Sequence, residues 1–210
     1  MKKKISITSL TYIYITVIIL WSFYRRTFHF PIVIEESIIK PILWFIPIFI
    51  IVKKPKLLKQ IFIFRNLSFK TLLLSIFIGV MLPLFLQILP ILNGGGKVLF
   101  PAANLILINL WVSLFTAGTE EIFFRGLLLQ NIQNRLSNMN ANILVSILFL
   151  LIHIPIILIS NKGSDEIFFS LYILFVSSLV YGLAFIKTKN LIPSIIIHAV
   201  NNFSLSFIYL

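Results

Sequence analysis

The sequence predicts an all-α fold, a polytopic transmembrane bundle of about seven helices, and three observations carry that reading. The first is composition: 59% of the 210 residues are hydrophobic and only 11% are charged, against about a quarter charged in soluble domains. The second is run length, because apolar stretches of about 20 residues, enough to cross a bilayer as a helix, recur along the chain. The third is the placement of charge. The net charge of +12 comes from Lys and Arg gathered in short runs between apolar stretches, a distribution that flanks membrane spans and argues against nucleic acid as a partner. The absence of cysteine removes disulfides, thiolate metal sites and a cysteine nucleophile.

Taken in order, the first span is expected near Ile5 to Tyr24, between Lys2–Lys4 and Arg25–Arg26. Its length and its bulky end at Trp21, Phe23 and Tyr24 mark a retained anchor, since a cleaved signal has a shorter apolar centre and small residues at the cut. A second span is expected near Ile38 to Val52, kinked by Pro41 and Pro47, each of which lacks a backbone donor. From Lys53 to Lys70, basic residues alternate with Leu57, Leu58, Ile61, Phe62 and Phe64, the pattern of a segment lying on an anionic inner leaflet without crossing it. Further spans follow near Thr71–Leu92, Leu99–Ile132, Ala141–Ser160, Ile167–Ile186 and Leu191–Leu210, with Asn93–Gly96 as a loop. The chain therefore divides into an N-terminal part, residues 1–98, and a core, residues 99–210.

With seven spans and the N-terminus inside, the inner loops hold Lys2, Lys3, Lys4, Lys53, Lys54, Lys56, Lys59, Arg65, Lys70, Arg135, Lys187 and Lys189, which are twelve. The outer loops hold Arg25, Arg26, Lys40, Lys97 and Lys162, which are five. The bias predicts a cytoplasmic N-terminus. Glu35 and Glu36, which have no Arg one turn later, read as an outer interface pair, and His29 reads as interfacial within an aromatic segment.

The polar residues left inside spans are the functional candidates. Thr119-Glu120-Glu121-Ile122-Phe123-Phe124-Arg125-Gly126 puts three ionisable groups in six residues, at roughly 2.5 to 3.5 kcal/mol each at a helix centre. Arg125 stands one turn after Glu121 in the favourable acid-first order. Glu120 points about 100° away and is left without that partner, which is the setting of a general base. His153 follows Phe149 by one turn, and Asn202 follows His198 by one turn. Counting about 1.5 Å per residue from the inner helix ends places His153 roughly 18 Å deep and His198 roughly 10 Å, so that both can meet Glu120 around one cavity.

Glu-Glu-x-x-x-Arg at Glu120, Glu121 and Arg125, Phe-x-x-x-His at Phe149 and His153, and His-x-x-x-Asn at His198 and Asn202 resemble, in this order, the CPBP (Abi) group of intramembrane peptidases. That group is named for CAAX prenyl endopeptidases and bacteriocin-processing enzymes. The resemblance covers roughly Leu99 to Leu210 and extends to Phe124-Arg125-Gly126. It implies hydrolysis of a peptide bond within the membrane, with Glu120 and His153 activating water and His198 and Asn202 holding the oxyanion. Arg125 would hold Glu121 and the helix, and Phe124 and Phe149 would support the site. The chain ends soon after the third motif, where eukaryotic relatives have another helix, and this short architecture points to a bacterial plasma membrane. Glu120, His153 and His198 could alternatively ligate a divalent metal such as zinc, with a position left open for water.

Other protease chemistries are excluded by inventory. Asp165 is the only Asp and is expected in a loop, no Gly-x-Ser-x-Gly elbow exists, and Ser164 lies far from both histidines by topology. The expected substrate is a hydrophobic or membrane-bound peptide, such as a prenylated CAAX tail, a bacteriocin or pheromone leader, or a membrane-bound regulator. Two rivals remain: a small proton-coupled transporter, and a non-catalytic immunity or scaffold protein.

Overall fold

The computed structural model describes residues 5–92, 97–98, 100–159 and 163–209; the expected loop at Asn93–Gly96 lies outside them. Among the described residues the chain is helical except for a two-residue antiparallel pairing of Lys97–Val98 with Ile208–Tyr209. Helix α1 (Ile7–Thr27) starts at Ser6, whose side chain caps it by accepting from the Ser9 amide, and ends on Arg25 and Arg26, cations that suit the negative end of the helix dipole. Its buried residues, Leu10, Ile13, Tyr14, Val17, Trp21 and Tyr24, recur at the three- and four-residue steps of one helix face.

The second span begins earlier than expected. It is one run of three pieces: α2 (Ile32–Ile34), a π-helical stretch π1 (Glu35–Ile39), and α3 (Lys40–Ile51). Pro41 falls in the first turn of α3, where its missing donor costs least. Lys40, Glu35 and Glu36 are all buried, so they are neither an outer-loop cation nor an interface pair; the segment they occupy is already helix inside the bundle.

Helix α4 (Pro55–Ile61) covers part of the basic segment. Lys53, Lys54, Lys56 and Lys59 are exposed while Leu57, Leu58 and Ile61 pack on the core, so this stretch does not cross, and its apolar side meets protein more than lipid. Then come α5 (Phe69–Leu92), α6 (Ala103–Glu121), a second π stretch π2 (Ile122–Leu129), α7 (Gln130–Ile132), α8 (Asn138–Ile159), α9 (Ser164–Thr188) and α10 (Leu191–Leu205). Asp165 lies in the first turn of α9 and not in a loop, where its charge complements the positive helix end.

Five helical runs are long and apolar enough to span a bilayer: Ile7–Thr27, Phe69–Gln87, Ala103–Ile132, Asn138–Leu158 and Ser164–Thr188. The run through α2, π1 and α3 and the shorter α10 complete a bundle that agrees with the expected architecture. Only 22–39% of the residues in the most apolar stretch of each long run are buried inside the protein. Side chains such as Phe77 at 60% and Phe85 at 76% exposure face outward, an apolar surface that suits lipid and not water.

Three close approaches contribute to the inner packing. Asn190 caps α10 by accepting from the Ile192 amide and also clamps Arg65, accepting from its N–H at 3.3 Å and donating to its carbonyl at 3.0 Å. Gly126 lets π2 lie on α4, where an added Cβ would stand 2.3 Å from the Ile61 carbonyl oxygen; at Gly182 it would stand 1.7 Å from Asn142 Oδ1. Gly118 faces open space. Gly126→Ala and Gly182→Ala are each expected to destabilise the protein by about 1–3 kcal/mol, the range of overpacking, whereas Gly118→Ala leaves it unchanged or slightly stabilised; unfolding midpoints in detergent micelles distinguish the three.

Candidate active site

The site lies where α3, α6, α8 and α10 approach one another. Glu120 and Glu121 form the last residues of α6, and the helix passes at once into π2. A π stretch turns by i→i+5 bonding and is common at functional positions. Here it carries Phe124 and Arg125 inward, both 0% exposed.

Glu121 and Arg125 pair as their spacing predicts, with Nη1 donating to Oε1 at 2.9 Å. The guanidinium also donates through Nη2 to the Ser178 carbonyl at 2.6 Å and to Ser178 Oγ at 2.7 Å, which ties π2 to α9. Its flat faces lie near Phe149 and Tyr181, with ring centroids 5.4 and 5.5 Å from Cζ. Phe124 meets Phe149 edge-on at 4.9 Å. Arg125 is therefore a strut between three helices, made of parallel polar and aromatic contacts that no lysine reproduces.

The two histidines reach Glu120 from opposite sides. His153 Nε2 is 3.9 Å from Glu120 Oε1, and His198 Nε2 is 3.8 Å from Glu120 Oε2. In each ring the other nitrogen is already committed. His153 Nδ1 lies 2.6 Å from the Phe149 carbonyl and His198 Nδ1 lies 2.9 Å from Glu121 Oε1. Both partners are acceptors, so each Nδ1 carries the proton, and in a neutral ring each Nε2 presents a lone pair toward Glu120. Rings stack to hold these orientations: Phe149 against His153 at 4.7 Å, and Tyr181 nearly parallel to His198 at 4.4 Å. The His153 side chain is 22% exposed while that of Glu120 is 3% exposed, so the accessible side of the site is the His153 side.

Asn202 is half-buried on α10 one turn beyond His198, and among the described residues its side chain makes no hydrogen bond. It shares the helix with His198 but is not brought into contact with Glu120.

Glu120 itself departs from expectation. It is not left unpartnered: Lys40 Nζ donates to Glu120 Oε1 at 2.6 Å and to Glu36 Oε2 at 2.8 Å. Lys40 is 4% exposed and its ammonium lies 5.3 and 5.4 Å from the rings of Trp21 and Trp44. Glu36 accepts a further bond from Thr116 Oγ1 at 2.7 Å. Nearby, Glu35 is held by Arg25 and Tyr24. The signal was present in the sequence, since Glu36-x-x-x-Lys40 repeats the acid-first spacing of Glu121-x-x-x-Arg125. Tyr181 and Ser178, also absent from the expected set, had no comparable signature.

The donor types at Glu120, His153 and His198 are those of a zinc site, but the arrangement does not fit a divalent ion. An ammonium already bonds the carboxylate, the two imidazoles face different carboxylate oxygens, and among the described residues no three acidic or histidine side chains group to hold a metal.

The structure is thus a helical bundle with helices long and apolar enough to span a bilayer, in which a carboxylate faces two imidazoles. Residues 102–204 match the family described as Type II CAAX prenyl endopeptidase Rce1-like, so this C-terminal part of the chain is similar to that family, in agreement with the resemblance of its motifs. No curated protein matches the sequence. The similarity is to a family of proteases, and the long apolar helices suit a membrane.

Removing one partner of a buried ion pair strands the other charge. Arg125→Met is therefore expected to lower stability by about 3–5 kcal/mol, and Glu121→Gln with Arg125→Met to recover part of that loss, read from denaturant unfolding in micelles.

Proposed function

We propose that this chain is an endopeptidase that hydrolyses a peptide bond of a hydrophobic or membrane-bound peptide, with Glu120 and His153 activating water. The observation that carries the reading is the pair of imidazole Nε2 atoms facing one carboxylate at 3.9 and 3.8 Å. Such gaps exceed a direct hydrogen bond and suit a shared water.

A water lying between Glu120 and His153 donates one hydrogen to each, which turns its own lone pair toward an approaching carbonyl carbon. As the oxygen–carbon bond forms, the proton moves to Glu120 and the carbonyl π pair moves onto oxygen. Collapse of this intermediate breaks the carbon–nitrogen bond, and the departing nitrogen takes the proton back from Glu120. The products are a carboxylic acid and an amine, and the site is restored.

The oxyanion needs donors. Asn202 has a free amide on the same helix as His198. His198 Nε2 donates only when the ring carries a second proton, because Nδ1 is committed to Glu121. Fixed donors of this kind contribute a few kcal/mol to the barrier, about 2.7–4 for one well-placed group.

Orientation in the membrane follows from the loop charges. Lys40 is buried, so the bias becomes twelve inner to four outer cations after one is removed from five. This supports a cytoplasmic N-terminus, with the exposed lysines around α4 on the anionic leaflet.

Glu120→Gln is expected to reduce cleavage of hydrophobic peptides by at least about 10²-fold with the fold intact, measured by mass spectrometry of products in proteoliposomes. Cleavage at the wild-type rate by this variant would overturn the assignment, and proton flux without cleavage would favour a transporter. A strong zinc chelator is expected to leave the wild-type rate unchanged.

A further inference from the structure

The N-terminal helices carry no sequence motif and lie outside the matched residues 102–204, yet Lys40 reaches Glu120 from them. We infer that Lys40 is a positioning residue of the active site: it binds Glu120 Oε1, fixes the carboxylate as an anion, and directs the remaining lone pairs toward the water. This rests on the assignment of Glu120 as the base.

Four observations support it. First, the contact is direct and short, 2.6 Å to Oε1, so one carboxylate oxygen is committed and rotation of the group is restricted. Second, the ammonium is itself held in place, by Glu36 at 2.8 Å and between the faces of Trp21 and Trp44; Glu36 is held in turn by Thr116. Third, π1 ends where Lys40 begins, its amide bonding back five residues to the Glu35 carbonyl. The segment is pinned to α6 by Trp111 Nε1 donating to Ser37 Oγ at 2.7 Å. Fourth, a buried ion pair is a poor device for stability alone, because desolvation offsets the attraction, whereas a fixed cation beside the base has a use in catalysis: it holds Oε1, the oxygen that also faces His153, in a known direction with a lone pair left for the water.

The groups facing Glu120 are Lys40 from α3, His153 from α8 and His198 from α10, and no other cation touches it among the described residues. Lys40 therefore has no substitute. An acidic pair, Glu36 and Glu120, is joined by this one ammonium, so its loss frees the base to turn and leaves two carboxyl groups of like charge close together.

The test uses the full chain in proteoliposomes and an internally quenched hydrophobic peptide with polar ends that the wild type cleaves. Because Lys40→Met alone could fail to fold, Glu36→Gln combined with Lys40→Met removes the pair without changing net charge. The double variant is expected to lose about 10²-fold in kcat, the scale of a misplaced reacting group, with KM within about twofold of wild type. Lys40→Arg should recover part of the loss, and Glu36→Gln alone should lose less than about tenfold, because Lys40 still bonds Glu120.

A second measurement needs no substrate. Dicyclohexylcarbodiimide modifies protonated carboxyl groups in apolar surroundings, so Glu120 should be unmodified in the wild type and modified in the double variant, while Glu121, held by Arg125, stays unmodified in both. Equal labelling of Glu120 in both proteins, or a double variant with wild-type kcat, overturns the inference. Unimpaired cleavage by Glu120→Gln instead overturns the assignment of the base, and the labelling pattern then still decides whether Lys40 controls that carboxyl group.

Discussion

The structure depends on one constraint: ionised side chains inside a bilayer-spanning bundle must find counter-charges within the protein. Lys40 joins Glu36 to Glu120, and Arg125 joins Glu121 to α9. These two cations connect α3, α6, π2 and α9. The helices are therefore located by polar contacts as much as by apolar packing, which in lipid offers little preference among neighbours. Once the ion pairs are set, the aromatic layer of Trp44, Phe123, Phe124 and Phe149, with edge-on contacts of 4.9–5.9 Å, fills the space beneath them.

Much of this was legible in the sequence, for a physical reason. A charge in an apolar run is so costly that its presence is a signal, and Glu120, Glu121, Arg125, His153 and His198 all stood out on that ground. Helical spacing then gave the Glu121–Arg125 pair and the shared faces of Phe149 with His153. The span boundaries followed from apolar length, and the structure moves most of them by only a few residues. What failed was the reading of the region between Arg25 and Pro41. Hydropathy treats charges near a span end as interface, and Glu35, Glu36 and Lys40 fall there; the Glu36-x-x-x-Lys40 spacing shows that the two pair, but not what else they meet. Glu36 and Lys40 meet Thr116 and Glu120 across 80 positions of chain, a separation that no local pattern encodes.

The two π stretches explain part of the same failure. An ideal helix advances about 100° per residue, and face assignments made on that basis drift once a wider turn is inserted. π1 immediately precedes Lys40 and π2 immediately follows Glu121, so both irregular segments adjoin the charged residues. Neither is marked by Pro or by a run of Gly within it, since π1 reads Glu-Glu-Ser-Ile-Ile and π2 holds the single Gly126. Each makes a tertiary contact: the Ser37 bond to Trp111 in one, and the approach of Gly126 to Ile61 in the other.

This arrangement bears on how the two halves of the chain divide the work. The matched part, residues 102–204, supplies Glu120, the base we propose, and both imidazoles. By charge it is incomplete, because Glu120 would be a buried anion whose own helix neighbours, Glu121 and Arg125, are already paired with each other. The N-terminal half corrects this with a single ammonium, held by a second acid that must also be buried. A bare carboxylate could have been neutralised more simply by a proton. Retaining instead a lysine, an extra glutamate and two tryptophans to cage them keeps the carboxylate charged and oriented between the histidines, which is the state that a base accepting a proton from water requires.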